Sequence, residues 1–212
     1  MEQSVEALKS QLFLNRKNGL LNCDDAKWKN ITDYCEGYKT FLKDGKTERE
    51  AAKAAIAIAE EAGFKPFKEG KTYKAGDKYY VNNRGKTVAF VVVGKETADK
   101  GVNIAAAHID SPRLDLKPNP LYEDSELSLF KTHYYGGIKK YQWTAIPLAL
   151  HGVFAKKDGT VKEVNIGEDE NDPCFVVTDL LPHLAQEQSK RTLADGIRGE
   201  ELNSLIGSRP FR

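Results

Sequence analysis

Val102-Asn103-Ile104-Ala105-Ala106-Ala107-His108-Ile109-Asp110-Ser111-Pro112 is the stretch on which the reading of the fold turns. Residues 102–109 predict a β-strand. The Ala105-Ala106-Ala107 run is apolar on both faces, as a strand in the middle of a covered sheet would be. Upstream, Asn82-Asn83-Arg84-Gly85 separates two β-rich runs, residues 78–81 and 87–93, and signals a hairpin. Before that the chain reads as helical. Val5, Leu8 and Leu12 keep a helical period, and Trp28, Ile31, Tyr34, Cys35, Tyr38 and Leu42 keep it longer. Asp24 or Asp25 is placed to cap this second helix and Gly45 to stop it, with Cys35 inside the apolar stripe and therefore in the core. Thr47 and Glu50 form a capping box for a third helix, lined by Ala52, Ala55, Ile56 and Ala59 and closed at Gly63. Helices, a hairpin and a buried strand predict an α/β fold with a helix-covered sheet.

Beyond Pro112 the character changes. Pro118, Pro120 and Glu123-Asp124-Ser125-Glu126 read as a linker or exposed loop. Leu148, Leu150, Gly152 and Phe154 alternate, Lys157-Asp158-Gly159 is a hairpin turn, and residues 161–166 return. Residues 168–172 read as a solvated acidic turn, residues 179–190 as a helix, and the tail as turn-rich. A domain boundary is expected near residue 115, giving units 1–115 and 116–212.

Composition narrows the function classes. The 212 residues are 40% hydrophobic, enough for a core. At roughly 150 residues per domain, the length suits one large domain or two small ones. Thirty-two Lys and Arg against 31 Asp and Glu leave a formal charge of +1, which gives no bulk electrostatic case for nucleic acid or an anionic membrane. No run approaches about 18 apolar residues. The polar start Met1-Glu2-Gln3-Ser4 lacks the layout of a secretory signal. Three cysteines without CxxC spacing read as free thiols. A cytoplasmic protein is expected.

His108 and Asp110 carry the chemistry. At i, i+2 in a strand they share a side, at the strand end where open α/β sheets bind ligands. Asp110 would accept the second N–H of the imidazole and make the other nitrogen a better metal ligand. The same pair also reads as a strand-end histidine hydrogen-bonded to a carboxylate. His133 and His151 read as surface or hydrogen-bonded structural residues, and Glu60-Glu61 as a solvated helix face. Gly136-Gly137 reads as a tight turn, with no P-loop Lys at the right spacing. Tyr141 and Trp143 suit either a pocket or ordinary packing.

The run Asn103 through Leu114, followed by Tyr135-Gly136-Gly137-Ile138, Trp143 and Leu181-Pro182-His183-Leu184-Ala185, resembles the M18 family of zinc metallo-aminopeptidases, nearer its bacterial branch. The resemblance implies a peptidase domain with an inserted strand-rich dimerisation domain, a homo-oligomer and peptide substrates. It implies two zinc ions per active site, with His108 as a metal ligand and Asp110 in the catalytic set as the carboxylate orienting it. It also implies a histidine reaching the neighbouring subunit's site. His183 is the candidate, although relatives carry that histidine one helical turn later, where this chain has Glu187. The family's remaining ligands and general base follow the insertion, whereas this chain ends at Arg212. The expectation is an N-terminal half, inactive alone, with a second fragment carrying the rest as a partner. The alternative is a non-catalytic oligomerisation module or inactive fragment.

Overall fold

The computed structural model describes residues 4–14 and 16–210, so the start Met1-Glu2-Gln3 and the final Arg212 lie outside the described residues. The chain divides into two units, residues 1–44 and 45–212. The first holds α1 (Val5–Leu12), a 3-10 turn at Gly19–Asn22 and α2 (Asp25–Asp44). Ser4 Oγ accepts the Ala7 N–H at 3.3 Å, and Asp24 Oδ1 accepts that of Lys27 at 2.8 Å, so each helix starts on a side-chain cap. α2 buries none of its residues. Cys35 is exposed, contrary to the core position expected of it, because among the described residues nothing buries any residue of α2. All three cysteines are free thiols, as expected.

The second unit opens with α3 (Glu48–Glu61). Its capping box forms as read, with Glu50 N–H on Thr47 Oγ1 at 3.3 Å and Thr47 N–H on Glu50 Oε2 at 3.0 Å. Gly63 takes the left-handed conformation, φ 89°, that ends it. Ala51, Ala52 and Ala59 are buried on its inner face. α3 lies over a three-stranded sheet of order β1 (Lys65–Pro66), β2 (Lys78–Asn83), β3 (Thr87–Val92). The β2–β3 hairpin turns through Arg84 (φ 59°) and Gly85 (φ 67°), with the Gly85 N–H on Asn82 Oδ1 at 2.8 Å. Glu60 lies on the exposed face, as read, and also accepts the Tyr80 hydroxyl at 2.7 Å.

Residues 102–109 do not form the expected buried strand. They carry no regular secondary structure, and Val102 and Ile104 are 65% and 81% exposed. A strand apolar on both faces needs ladder partners, and among the described residues none lies beyond β3 in the sheet.

The proposed linker is also corrected, because Arg113–Asp124 is a strand, β4, paired antiparallel with β5 (Leu127–Tyr135). The register slips between Leu116 and Leu121, where Pro118 and Pro120 fall. A proline has no N–H to give a ladder, so a bulge is where a strand tolerates it. The hairpin closes through Ser125 (φ 51°) and Glu126 (φ 62°). β9 (Ser204–Gly207) lies between β5 and β8 (Val176–Val177), giving the order β4-β5-β9-β8. Val177, Ile197 and Leu202 form the core here, with Leu114, Tyr134, Ile138, Tyr141, Trp143 and Leu148 packed on it, so Tyr141 and Trp143 are packing residues. The Thr132 hydroxyl donates to the Leu202 carbonyl and ties β5 to that core.

β6 (Leu150–Ala155) and β7 (Val161–Ile166) form the expected second hairpin, closed by Gly159 at φ 83°. Residues 179–190 are not a helix. Asp179 instead accepts the Leu180 N–H at 2.8 Å and Gln188 Nε2 at 3.0 Å, folding the segment into turns with one short 3-10 stretch, Gln188–Lys190.

Candidate functional site

His108 meets Asp110 as the sequence predicts, but from an irregular segment instead of a strand end. Its Nδ1 lies 3.0 Å from Asp110 Oδ1 and 3.0 Å from the Asp110 backbone oxygen. A carbonyl oxygen only accepts, so Nδ1 carries the proton. In the neutral ring Nε2 then holds the lone pair. The side chain is 81% exposed, and Nε2 is available to a ligand from solvent.

Asp110 is fixed at both oxygens. Oδ1 takes His108, and Oδ2 accepts the Tyr135 hydroxyl at 2.8 Å. The Tyr135 hydrogen bond, with smaller help from a backbone N–H and from His108, holds the Asp110 carboxyl below its ordinary range. The same bond to an anion pushes the Tyr135 phenol up.

Behind Tyr135 stands Arg113. The two are cross-strand partners on β5 and β4, and the guanidinium lies 4.1 Å from the centre of the Tyr135 ring. Arg113 is held in turn by Asp115 Oδ1 at 2.7 Å, Glu48 Oε1 at 3.1 Å and the Ser111 carbonyl at 3.3 Å. Gly136 (φ 84°) rests on Pro112, and a Cβ there would stand 3.6 Å from the proline ring. The His-x-Asp-Ser-Pro and Tyr-Gly-Gly-Ile segments, separate in sequence, therefore touch at two points.

The other histidines lie apart from this cluster. His133 is exposed on β5, opposite Asp115, with its ring 5.3 Å from that of Tyr134. His183 is exposed in the turn after Leu181, and none of its described contacts reaches His108 or Asp110. His151 is enclosed, its side chain 9% exposed, with Nδ1 2.8 Å from Glu50 Oε1 and Nε2 2.9 Å from Glu168 Oε1. It is thus the hydrogen-bonded structural residue expected. Glu168, read as part of a solvated turn, is instead engaged by both His151 and Lys46, the latter at 2.8 Å. Sequence reasoning gave no role to Tyr135, Arg113 or Glu48. The Tyr-Gly-Gly-Ile segment was visible, but nothing in its spacing says that its tyrosine reaches Asp110.

Among the described residues no group of three or more His, Cys, Asp or Glu side chains is gathered to hold a metal ion. The chain fits zinc at one donor, the outward Nε2 of His108 with its tautomer fixed. Closed zinc sites use four ligands, and open catalytic ones three.

Comparison with solved structures supplies the class. The chain superimposes on an M18-family aminopeptidase from Thermotoga maritima with a TM-score of 0.84 and 42% identity, over 94% of this chain and 43% of that one. Aminopeptidase I from Clostridium acetobutylicum gives 0.78 and 46%, over 92% and 44%. The class is that of the metallo-aminopeptidases. Residues 41–209 match the family described as "Aminopeptidase I zinc metalloprotease (M18)", and the chain belongs to that family. A probable M18 family aminopeptidase 1 of Clostridium acetobutylicum is 49% identical over 207 residues, which are 96% of this chain and 44% of the relative. A Borreliella afzelii relative of the same description is 43% identical over 199 residues, 93% of this chain and 43% of its own length. The chain thus spans less than half the length of the curated relatives it matches.

Proposed function

We propose that this chain supplies the N-terminal part of a zinc-dependent aminopeptidase that removes N-terminal residues from peptides, with His108 as one metal ligand and Asp110 as the carboxylate orienting it. The observation that carries this is the double contact of Nδ1 with Asp110, which in the neutral ring puts the lone pair on Nε2. Two zinc ions, when bound, supply an activated water and polarise the peptide carbonyl. What the chain's own residues do is narrower. Asp110 fixes the tautomer and ring angle of His108, and Tyr135 and Arg113 fix Asp110. The missing ligands and the general base are assigned to chain beyond these residues or to a second fragment. Support comes from relatives more than twice as long that align over 94–96% of this chain.

The same reading makes residues 116–212 an inserted, strand-rich dimerisation domain with its boundary near residue 115. It makes the protein a cytoplasmic homo-oligomer and sends His183 toward the neighbouring subunit's site. The exposed Leu181 and Leu184 beside His183 are what a partner would cover. Among the described residues, no helix is long and apolar enough to cross a membrane.

The test is His108→Ala in the complete aminopeptidase, read by metal analysis and by hydrolysis of aminoacyl substrates. Loss of turnover together with loss of one metal is expected. Two bound metals and normal turnover would overturn the assignment. The chain alone, given zinc, should show no chelator-sensitive turnover.

A further inference from the structure

We propose that Tyr135 is a positioning residue for His108, acting through Asp110, and that Arg113 locks Tyr135 in place. The inference rests on the reading of His108 as a metal ligand and adds what holds that ligand still.

His108 cannot be oriented by packing, since its side chain is 81% exposed and its segment has no ladder bonds. Asp110 lies in the same irregular segment, so its carboxylate needs an anchor outside that segment. The described contacts give its Oδ2 one such anchor, the Tyr135 hydroxyl at 2.8 Å. Tyr135 belongs to β5, where ladder bonds to β4 fix its backbone. The register places Arg113 directly across from it, so the guanidinium covers the ring face at 4.1 Å. Asp115, Glu48 and the Ser111 carbonyl hold its Nε, Nη2 and Nη1, and Glu48 begins α3. The orientation of one exposed imidazole is thus relayed from a helix and a two-stranded ladder through Arg113, Tyr135 and Asp110. Removing the phenol oxygen breaks the relay between Tyr135 and Asp110 and leaves the Arg113 stacking in place. Partners of this kind, which orient a metal-binding histidine, typically contribute 10–100-fold to metal affinity.

The experiment uses the 212-residue chain, wild type, Tyr135→Phe and Asp110→Ala, with ¹⁵N-labelled histidine. Long-range ¹H–¹⁵N correlation reads the His108 tautomer without metal, at a pH where the imidazole is neutral. The wild type should be held as Nδ1–H. Tyr135→Phe should move His108 toward a mixture of both tautomers, in the same direction as Asp110→Ala. The backbone oxygen of Asp110 remains as a second acceptor and keeps the change partial in both variants. A His108 tautomer ratio in Tyr135→Phe equal to wild type overturns the proposal, whether or not Asp110→Ala shifts it. A zinc titration followed on the His108 nitrogen signals is the second readout, with affinity expected to fall on the order of 10-fold in Tyr135→Phe. A shifted tautomer with no zinc response at His108 in any variant supports the positioning role and counts against the metal-ligand reading. Each reading can therefore fail separately.

Discussion

Replacing His151 by alanine should cost the second unit about 3 kcal/mol of stability without touching the His108 cluster. The ring bridges Glu50, at the first turn of α3, and Glu168, just after β7, at 2.8 and 2.9 Å. A hydrogen bond to a charged group contributes about 1.5–3 kcal/mol. Two such bonds set an upper bound near 6 kcal/mol, but both carboxylates keep other donors. Glu50 retains Thr47, and Glu168 retains Lys46. Glu168 is also 27% exposed, which places its bond at the low end. For a domain of this size a loss of about 3 kcal/mol lowers the melting midpoint by roughly 6–12 °C. The pH dependence has a definite sign. Burial opposes ionisation of Glu50, but hydrogen bonds from His151 and Thr47 outweigh it and hold its carboxyl below the ordinary value. Glu168 is held down chiefly by Lys46, then by His151. A depressed carboxylate contributes stability that is complete above its unfolded pKa and lost as pH falls through the folded one. Both ring nitrogens face carboxylates, which only accept, so the ring makes the two bonds as a double donor. The deficit of His151→Ala should therefore shrink through the acid carboxylate range. Urea denaturation of both proteins across that range, followed by circular dichroism, measures it. An unchanged midpoint at neutral pH, or a deficit that does not narrow in acid, would refute the reasoning.

Two packing predictions accompany it. Leu202 is fully buried against Val177 and Ile197, so Leu202→Ala should cost about 2–5 kcal/mol in equilibrium denaturation. Gly167 sits at φ 107°, and a Cβ there would stand 3.0 Å from Ala149 Cα, so Gly167→Ala should cost about 1–3 kcal/mol by the same measurement.

The helices were legible because their signals are local. A capping box at Thr47 and Glu50, an aspartate before α2 and a glycine after α3 act within a turn of where they lie. Both hairpins at Gly85 and Gly159 were legible for the same reason. Residues 102–109 were misread because an apolar run states that it wants partners, not that the chain provides them. The β4 strand was misread in the opposite sense, since Pro118 and Pro120 argue against a regular ladder but not against one with a bulge. At the site, the His108–Asp110 contact was expected from an i, i+2 spacing in a strand, and it forms in an irregular segment instead. Tyr135 stands 25 residues from Asp110, and only the β4–β5 register brings it back. The His151 bridge spans 101 residues to Glu50 and carries no local signature.

That register has a consequence for quality control. Successive residues of a strand face opposite sides, so a slip by one position along β4 would turn Arg113 away from Tyr135. The irregularity around Pro118 and Pro120 acts as a key against such a slip, since those residues fit only where no donor is called for. A misaligned copy would be poorly folded and would also lose the brace behind His108. Errors in assembly and loss of the brace behind His108 are in this way made to coincide, and a molecule that passes the first check has already passed the second.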